Sequence, residues 1–304
     1  MRDAFFDALT ALGAEDERVW ALTGDLGIGL FDGFEAAAPG RFLNVGIAEQ
    51  NMVGIAAGLA YSGKVPFAYS IAPFITSRAH DQIRVDVALA RANVKLVGVG
   101  GGVAYGTLGP THHAIEDVAL MRVLPNMTVL TPGDPVEARG AARAAAELDG
   151  PVYLRLGKNG EPLLLPEEPF AVGRARVVRE GGDLTIATCG PILGEALAAA
   201  DELAAGGVDA GVLHFPTVKP FDVEAVAAAL RRSPLVVSVE EHLDVGGLGS
   251  AVAEAIAESG LPGTLRRVGF RDRFAHEVGS REYLLAGHGL DARGLVSTAR
   301  ALAA

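Results

Sequence analysis

The chain has 304 residues, half of them hydrophobic, with 26 basic and 37 acidic side chains and a formal charge of −11. At about 100–200 residues per domain that length implies two domains, and the apolar fraction excludes a disordered polymer. The acidity is even, 13 basic and 18 acidic groups over 1–165 against 13 and 19 over 166–304, and such a surface repels a phosphate backbone, which sets nucleic acid aside as a partner.

The N-terminal run MRDAFFDALTAL carries Asp3 and Asp7 where an export signal needs basic and then apolar residues, so it reads as a helix over 3–13 rather than a leader. Short β-branched runs then alternate with Ala- and Leu-rich segments. Strands are expected at Val19–Thr23, Phe42–Val45, Val65–Tyr69, Val94–Val99, Met127–Leu130 and Val152–Leu154, with helices near 47–62, 74–92, 113–123 and 135–148. This alternation predicts a mostly parallel sheet with helices on both faces. The longest charge-free stretch, Leu96–Ile115, holds six glycines, Pro110 and two histidines, which excludes a membrane span. The stretch 157–182 contains three prolines and several charges and breaks the pattern. It predicts a first domain at 1–165, a linker at 166–182 and a second domain at 183–304. Strands at Leu184–Thr188, Ala210–His214, Val236–Val239 and Leu265–Val268, with helices near 192–205, 222–231, 248–259 and 291–302, make the second domain α/β as well. The one cysteine, Cys189, excludes an internal disulfide or a Cys-rich zinc site and fits a reducing cytoplasm. No metal-ligand spacing occurs.

Chemistry is expected first at Gly46–Gly54, GIAEQNMVG. A strand ends at Val45 and an apolar helix begins just after an acid. Glu49 therefore stands at a strand-to-helix junction near the carboxyl edge of the sheet, where ligands bind in open α/β folds. The nearly charge-free helix behind it, MVGIAAGLAYSG, implies burial. Burial disfavours the charged carboxylate and suits it to exchange a proton with a ring nitrogen. The plainer role is to favour the helix N-terminus through the dipole. A second candidate is the Gly-rich loop Gly106–Thr111, which ends in His112 and His113. Glycines permit close approach to a ligand, and histidine titrates near neutrality. The run GGLGS at 246–250 lacks the G-x-G-x-x-G spacing, so dinucleotide binding is unsupported, and no G-x-S-x-G elbow suggests a serine hydrolase.

GIAEQNMVGIAAGLA resembles the pyrimidine-binding motif of transketolases and their relatives. GDL at 24–26, GPTHH at 109–113, LMRVLPNMTVLTPGD at 120–134, VEEHLDVGGLGSAVAEAI at 239–256 and FRDRFAHEVGS at 270–280 follow in the family's order. What the chain resembles is the C-terminal half of a full-length transketolase. The resemblance implies that the first domain is a pyrimidine-binding domain and the second a transketolase C-terminal domain, with Glu49 hydrogen-bonded to the aminopyrimidine of thiamine diphosphate. It implies Phe74, in APFITSRAHDQ, as the stacking aromatic, with Arg78 and Asp25 beside the cofactor. His112 matches the family histidine at the donor's reacting end, and His113 holds a glutamine position. Arg155 and Lys158 fall where relatives place cations for a substrate phosphate.

A separate N-terminal-half subunit is implied, holding Mg²⁺ and the diphosphate, in an α2β2 heterotetramer built on a homodimer of this chain. Without it this chain is expected to be inactive. Gly24-Asp25-Leu26 with Asn51 imitates the missing half's metal motif but lacks its third glycine. The loop also departs from the family. Leu108 replaces an aspartate that reads a donor hydroxyl, and Gly100–Gly102 replaces a phosphate-side histidine. An apolar Leu accepts no hydrogen bond, so the usual sugar-phosphate donors are in doubt. The expected activity is transfer of a two-carbon ketol or acyl unit from a ketose or 2-oxo acid to an aldehyde. The alternatives are a beta-type subunit of a 2-oxo acid dehydrogenase and a non-catalytic scaffold.

Overall fold

A computed structural model describes residues 1–303. The strands are β1 (Val19–Thr23), β2 (Phe42–Asn44), β3 (Val65–Ile71), β4 (Lys95–Val99), β5 (Thr128–Leu130), β6 (Val152–Leu156), β7 (Arg176–Arg179), β8 (Leu184–Thr188), β9 (Ala210–His214), β10 (Thr217–Lys219), β11 (Leu235–Leu243) and β12 (Thr264–Phe270). They form two sheets. The seven-stranded sheet runs β10-β5-β6-β4-β3-β1-β2, and the five-stranded sheet β12-β11-β8-β9-β7. All neighbours are parallel except β10 against β5 and β7 against β9. The fold is α/β, two mostly parallel sheets covered by helices.

Central strands β3, β4 and β6 are buried along their whole length, as covered parallel strands are, and they read as mostly apolar runs in which Ser70, Lys95 and Arg155 are the buried polar exceptions. Two cores flank the first sheet. One packs Met52, Val53 and Ala56 of the helix Glu49–Tyr61 against Ile75, Ile83 and Val87. The other packs Phe5, Phe6 and Leu9 of the helix Arg2–Glu15 against Phe31, Phe67 and Tyr69.

Several elements depart from the expectation. The supposed linker enters the second sheet as β7, whose half-exposed Arg-Val-Val-Arg carries no apolar alternation. Three-residue β10 leaves the second half of the chain to pair with β5 of the first sheet, so the first sheet takes a strand from across the sequence divide. Short helices Asp32–Ala37 and Arg281–Gly287 escape the periodicity, being under two turns long. The expected helix 74–92 is two π-helical stretches, Phe74–Arg78 and Ile83–Leu89, around a short α-helical piece at His80–Gln82. The expected helix from 113 begins only at Asp117, after tight turns at Gly106–Leu108 and Pro110–His112.

Candidate active site

Glu49 opens the helix Glu49–Tyr61 at the carboxyl edge of the first sheet. Its side chain is 3% exposed. The turn that delivers it needs Gly46 at φ +75. Asn44, the last residue of β2, staples that turn to its neighbour. Its Oδ1 accepts the amides of Asp25 (3.0 Å) and Gly46 (3.1 Å), and its Nδ2 donates to Asp25 Oδ1 (3.2 Å). Asp25 is exposed at the mouth of the site, at φ 60. Two donors meet the Glu49 carboxylate: Ser70 Oγ of β3 on Oε1 at 3.0 Å and Arg78 Nη1 on Oε2 at 3.3 Å. An open cleft of about 460 Å³ lies over it, lined by Ile47, Ala48, Glu49, Gln50, Asn51 and Arg78.

A line of rings and charges leads away from the acid. The Arg78 guanidinium lies 3.7 Å from the centre of the Phe74 ring, one turn earlier in the π-helical stretch. Thr76 Oγ1 donates back to the Ala72 carbonyl at 2.7 Å. Phe74 meets His112 edge-on at 5.0 Å, and His112 meets Tyr105 at 6.4 Å. His112, half-buried, shares a hydrogen bond with the Thr111 hydroxyl at 3.0 Å. Lys158 Nζ sits 5.0 Å over the Tyr105 ring. The structure thus brings Glu49, Arg78, Phe74, His112 and Lys158 into one run, with Asp25 at its rim.

Arg155 and His113 do not join that run. Arg155 is 2% exposed, with Nε on Asp117 Oδ2 at 2.8 Å and Nη2 on the carbonyls of Ala114 and Glu241, both at 2.8 Å. Burial opposes its charge, but Asp117 more than offsets this and raises the guanidinium above its usual range. The expectation that Arg155 faces a substrate phosphate is corrected: its neighbour Gly101 leaves room only for the Arg155 side chain. His113 is buried, with both ring nitrogens unpartnered, and burial pushes it below the usual histidine range. Buried in the fold, it is not among the residues that line the cleft.

Ser70, Asn44 and Tyr105 were missed by sequence reasoning. Ser70 could have been found as a small polar residue in a strand that is otherwise apolar or aromatic and buried throughout. Tyr105 gave no signal, because its place depends on Gly100: a Cβ there, at φ +78, would collide with the tyrosine ring. Burial raises the Tyr105 phenol, against the nearby charge of Arg2, so it stays a neutral hydrogen-bonding group. Leu108 is exposed on its turn. Three of the GGLGS amides are already taken: Glu240 accepts Leu248 N and Gly249 N, both at 2.7 Å, and Ser250 Oγ accepts Gly246 N at 2.8 Å. Among the described residues no helix is long and apolar enough to cross a membrane.

Residues 1–161 match the transketolase pyrimidine-binding domain, and residues 173–295 match the transketolase C-terminal domain. The chain is 44% identical over 301 residues to a 6-deoxy-6-sulfo-D-fructose transketolase subunit of Clostridium sp. (strain MSTE9), covering 98% of this chain and 93% of that one. It is 38% identical over 301 residues to an apulose-4-phosphate transketolase subunit of Phocaeicola vulgatus, covering 98% and 96%. A solved split-gene transketolase, described as an inactive beta4 tetramer, superposes with a TM-score of 0.92 at 40% identity, covering 99% of this chain and 97% of that one.

Proposed function

The chain belongs to the transketolase family, and from that premise we propose that it is the pyrimidine-binding and C-terminal subunit of a two-chain, thiamine-diphosphate-dependent ketol transferase. The observation that carries the proposal is the buried Glu49 carboxylate, facing an open cleft with an aromatic ring one contact away. The 2-oxo acid dehydrogenase and scaffold alternatives are not favoured by these relatives.

The residues fit the cofactor's pyrimidine end. A planar aminopyrimidine needs a carboxyl group at one ring nitrogen and an apolar or aromatic surface against its face, and Glu49 and Phe74 supply both. When bound, thiamine diphosphate supplies the nucleophilic carbon for breaking and making the C–C bond. This chain's part is to orient and to move protons. Glu49 holds a proton at the ring nitrogen, and Ser70 fixes the carboxylate's direction from β3. Arg78, about half exposed, pairs with Glu49 and lies on the face of Phe74, which it would have to leave for the heterocycle to stack there. His112 holds or donates a proton at the donor's oxygen atoms. Lys158, at the far end of the run, takes an anionic sugar terminus, and Tyr105 offers it a neutral hydroxyl.

The diphosphate and Mg²⁺ are assigned to an N-terminal-half partner subunit. Exposed large side chains, Ile47 at the cleft and Ile28 (99% exposed), Tyr61 and Leu89 elsewhere on the surface, are assigned to the homodimer core and that partner, in an α2β2 heterotetramer. The reaction is placed in carbohydrate metabolism in a reducing cytoplasm, with neither nucleic acid nor membrane as partner. Donors ending in an anionic group are favoured, because the named relatives act on a sulfo-sugar and a sugar phosphate.

Glu49→Gln tests the assignment. The variant should fold and assemble, yet lose about 100-fold or more of the turnover of the reconstituted complex, the scale of a positioned proton-transfer group. Turnover within about threefold of wild type would remove Glu49 from the chemistry.

A further inference from the structure

The loop carrying His112 is held from the other sheet. Gly102 and Ala114 pair at its neck, Gly102 N on Ala114 O at 3.0 Å and Ala114 N on Gly102 O at 2.8 Å, so residues 103–113 bulge from a closed waist. Glu241, on β11 and buried, reaches that waist. Its Oε2 accepts the Val103 amide at 3.3 Å, while its Oε1 accepts Arg281 Nε at 2.7 Å and also pairs with Arg281 Nη2. No side chain fits at position 102, where a Cβ would stand 2.5 Å from that of Glu241. The carbonyl of Glu241 takes Arg155 Nη2, which also holds Ala114 O. His242 Nε2 accepts the Ala119 amide at 3.2 Å, just beyond the loop. At the tip, Gly279 N donates to Gly106 O at 3.3 Å, two residues before Arg281.

A buried carboxylate keeps a fixed direction only if its charge is compensated; otherwise it takes up a proton or seeks water. Arg281 provides that compensation, and burial of the guanidinium is more than offset by Glu241 beside it, which raises it above its usual range. We propose that Arg281 is a positioning residue: by neutralising Glu241 it fixes the waist of the 103–113 loop and so the place of His112 against Phe74. The C-terminal sheet thereby sets the geometry of a site whose reacting groups stand on the other sheet. The proposal rests on the role given to His112 above, but its first test does not.

That test is hydrogen exchange by mass spectrometry on the full chain, comparing Arg281→Met with Arg122→Met. Arg122 pairs with Glu254 across the same divide between sheets but touches neither the waist nor Glu241. A general weakening of the interface would act alike in both. Arg281→Met should speed exchange of amides 102–114 about tenfold while the amides of β3 keep their protection, and Arg122→Met should leave 102–114 within about twofold of wild type. Arg281→Lys, which restores the charge, should recover most of the loss. If Arg281→Met does not fold, Glu241→Gln replaces it, with the same exchange expected at 102–114. In the reconstituted complex, Arg281→Met should lower kcat about tenfold or more with Arg281→Lys rescuing it, since small misplacements of a catalytic group cost that much. Unchanged exchange at 102–114, or equal change in the Arg122 variant, overturns the proposal. A complex in which wild type shows no ketol transfer refutes the function proposed for the site and leaves the exchange result to decide this one.

Discussion

Replacing Arg155 with Met separates the role the sequence suggested, a cation for substrate, from the one the structure shows, a beam between the sheets. Met keeps most of the apolar stem and removes three hydrogen bonds, to Asp117 and to the carbonyls of Ala114 and Glu241. What remains is a carboxylate 1% exposed whose one other donor is the Tyr153 hydroxyl at 2.6 Å. Stranding one member of a buried ion pair costs about 3–5 kcal/mol, and losing the donor to the Glu241 carbonyl adds about 1 kcal/mol, while the Ala114 carbonyl keeps the Gly102 amide. Against a typical total of about 5–15 kcal/mol, such a loss brings the chain close to unfolding at 25 °C. Urea unfolding of wild type and Arg155→Met measures it, and the double variant Arg155→Met with Asp117→Leu should regain part of the loss, because it removes the stranded charge. A single variant within about 1 kcal/mol of wild type in unfolding, with a raised KM for anionic donors, would refute this reasoning and return Arg155 to the substrate.

Two other perturbations probe different features. Lys95 is fully buried at the start of β4, donating to Asn93 Oδ1 (2.6 Å), Leu148 O (2.7 Å) and Gly150 O (2.8 Å), and burial pushes its amine from 10.5 down to about 7. Above pH 7 the folded chain has released a proton that the unfolded chain keeps until about 10.5, so stability should climb with pH between these values, and Lys95→Met should lose about 1–3 kcal/mol at neutral pH and also the climb. Denaturant midpoints measured from pH 6 to 10 check both; a flat wild-type profile contradicts the assignment. Phe74→Leu should weaken thiamine diphosphate binding by the complex about three- to tenfold, the worth of one aromatic stack, read as a shift in apparent Kd. An unchanged Kd would take Phe74 off the ring-stacking surface.

The sheet strands were legible because covered parallel strands are written as short apolar runs between turns, and Val19–Thr23, Leu184–Thr188 and Ala210–His214 stand at the expected bounds. The place of Glu49 at a strand-to-helix junction, and its burial, were legible because a lone acid stands just ahead of a nearly charge-free helix. Elements that depend on distant partners stayed hidden. β7 and β10 are antiparallel edge strands of three or four residues, defined by the strand they join rather than by their own pattern. Arg155 shows the same limit at a single side chain. An arginine at a strand's end reads as exposed until Asp117, 38 residues away, and Glu241, 86 residues away, come to meet it. Tyr105 was hidden by a glycine, since only an empty position 100 lets its ring lie there.

Strand β10 has an evolutionary corollary. Because Thr217–Lys219 closes the open edge beside β5, any exchange of C-terminal domains between homologues exports a piece of the neighbouring sheet with the cargo. A chimera joined at the apparent seam near residue 170 inherits a foreign rim, and one truncated there bares β5 as an unpaired edge, an invitation to aggregate. A domain swap that keeps the first sheet closed must therefore carry a segment able to pair with β5 as Thr217–Lys219 does.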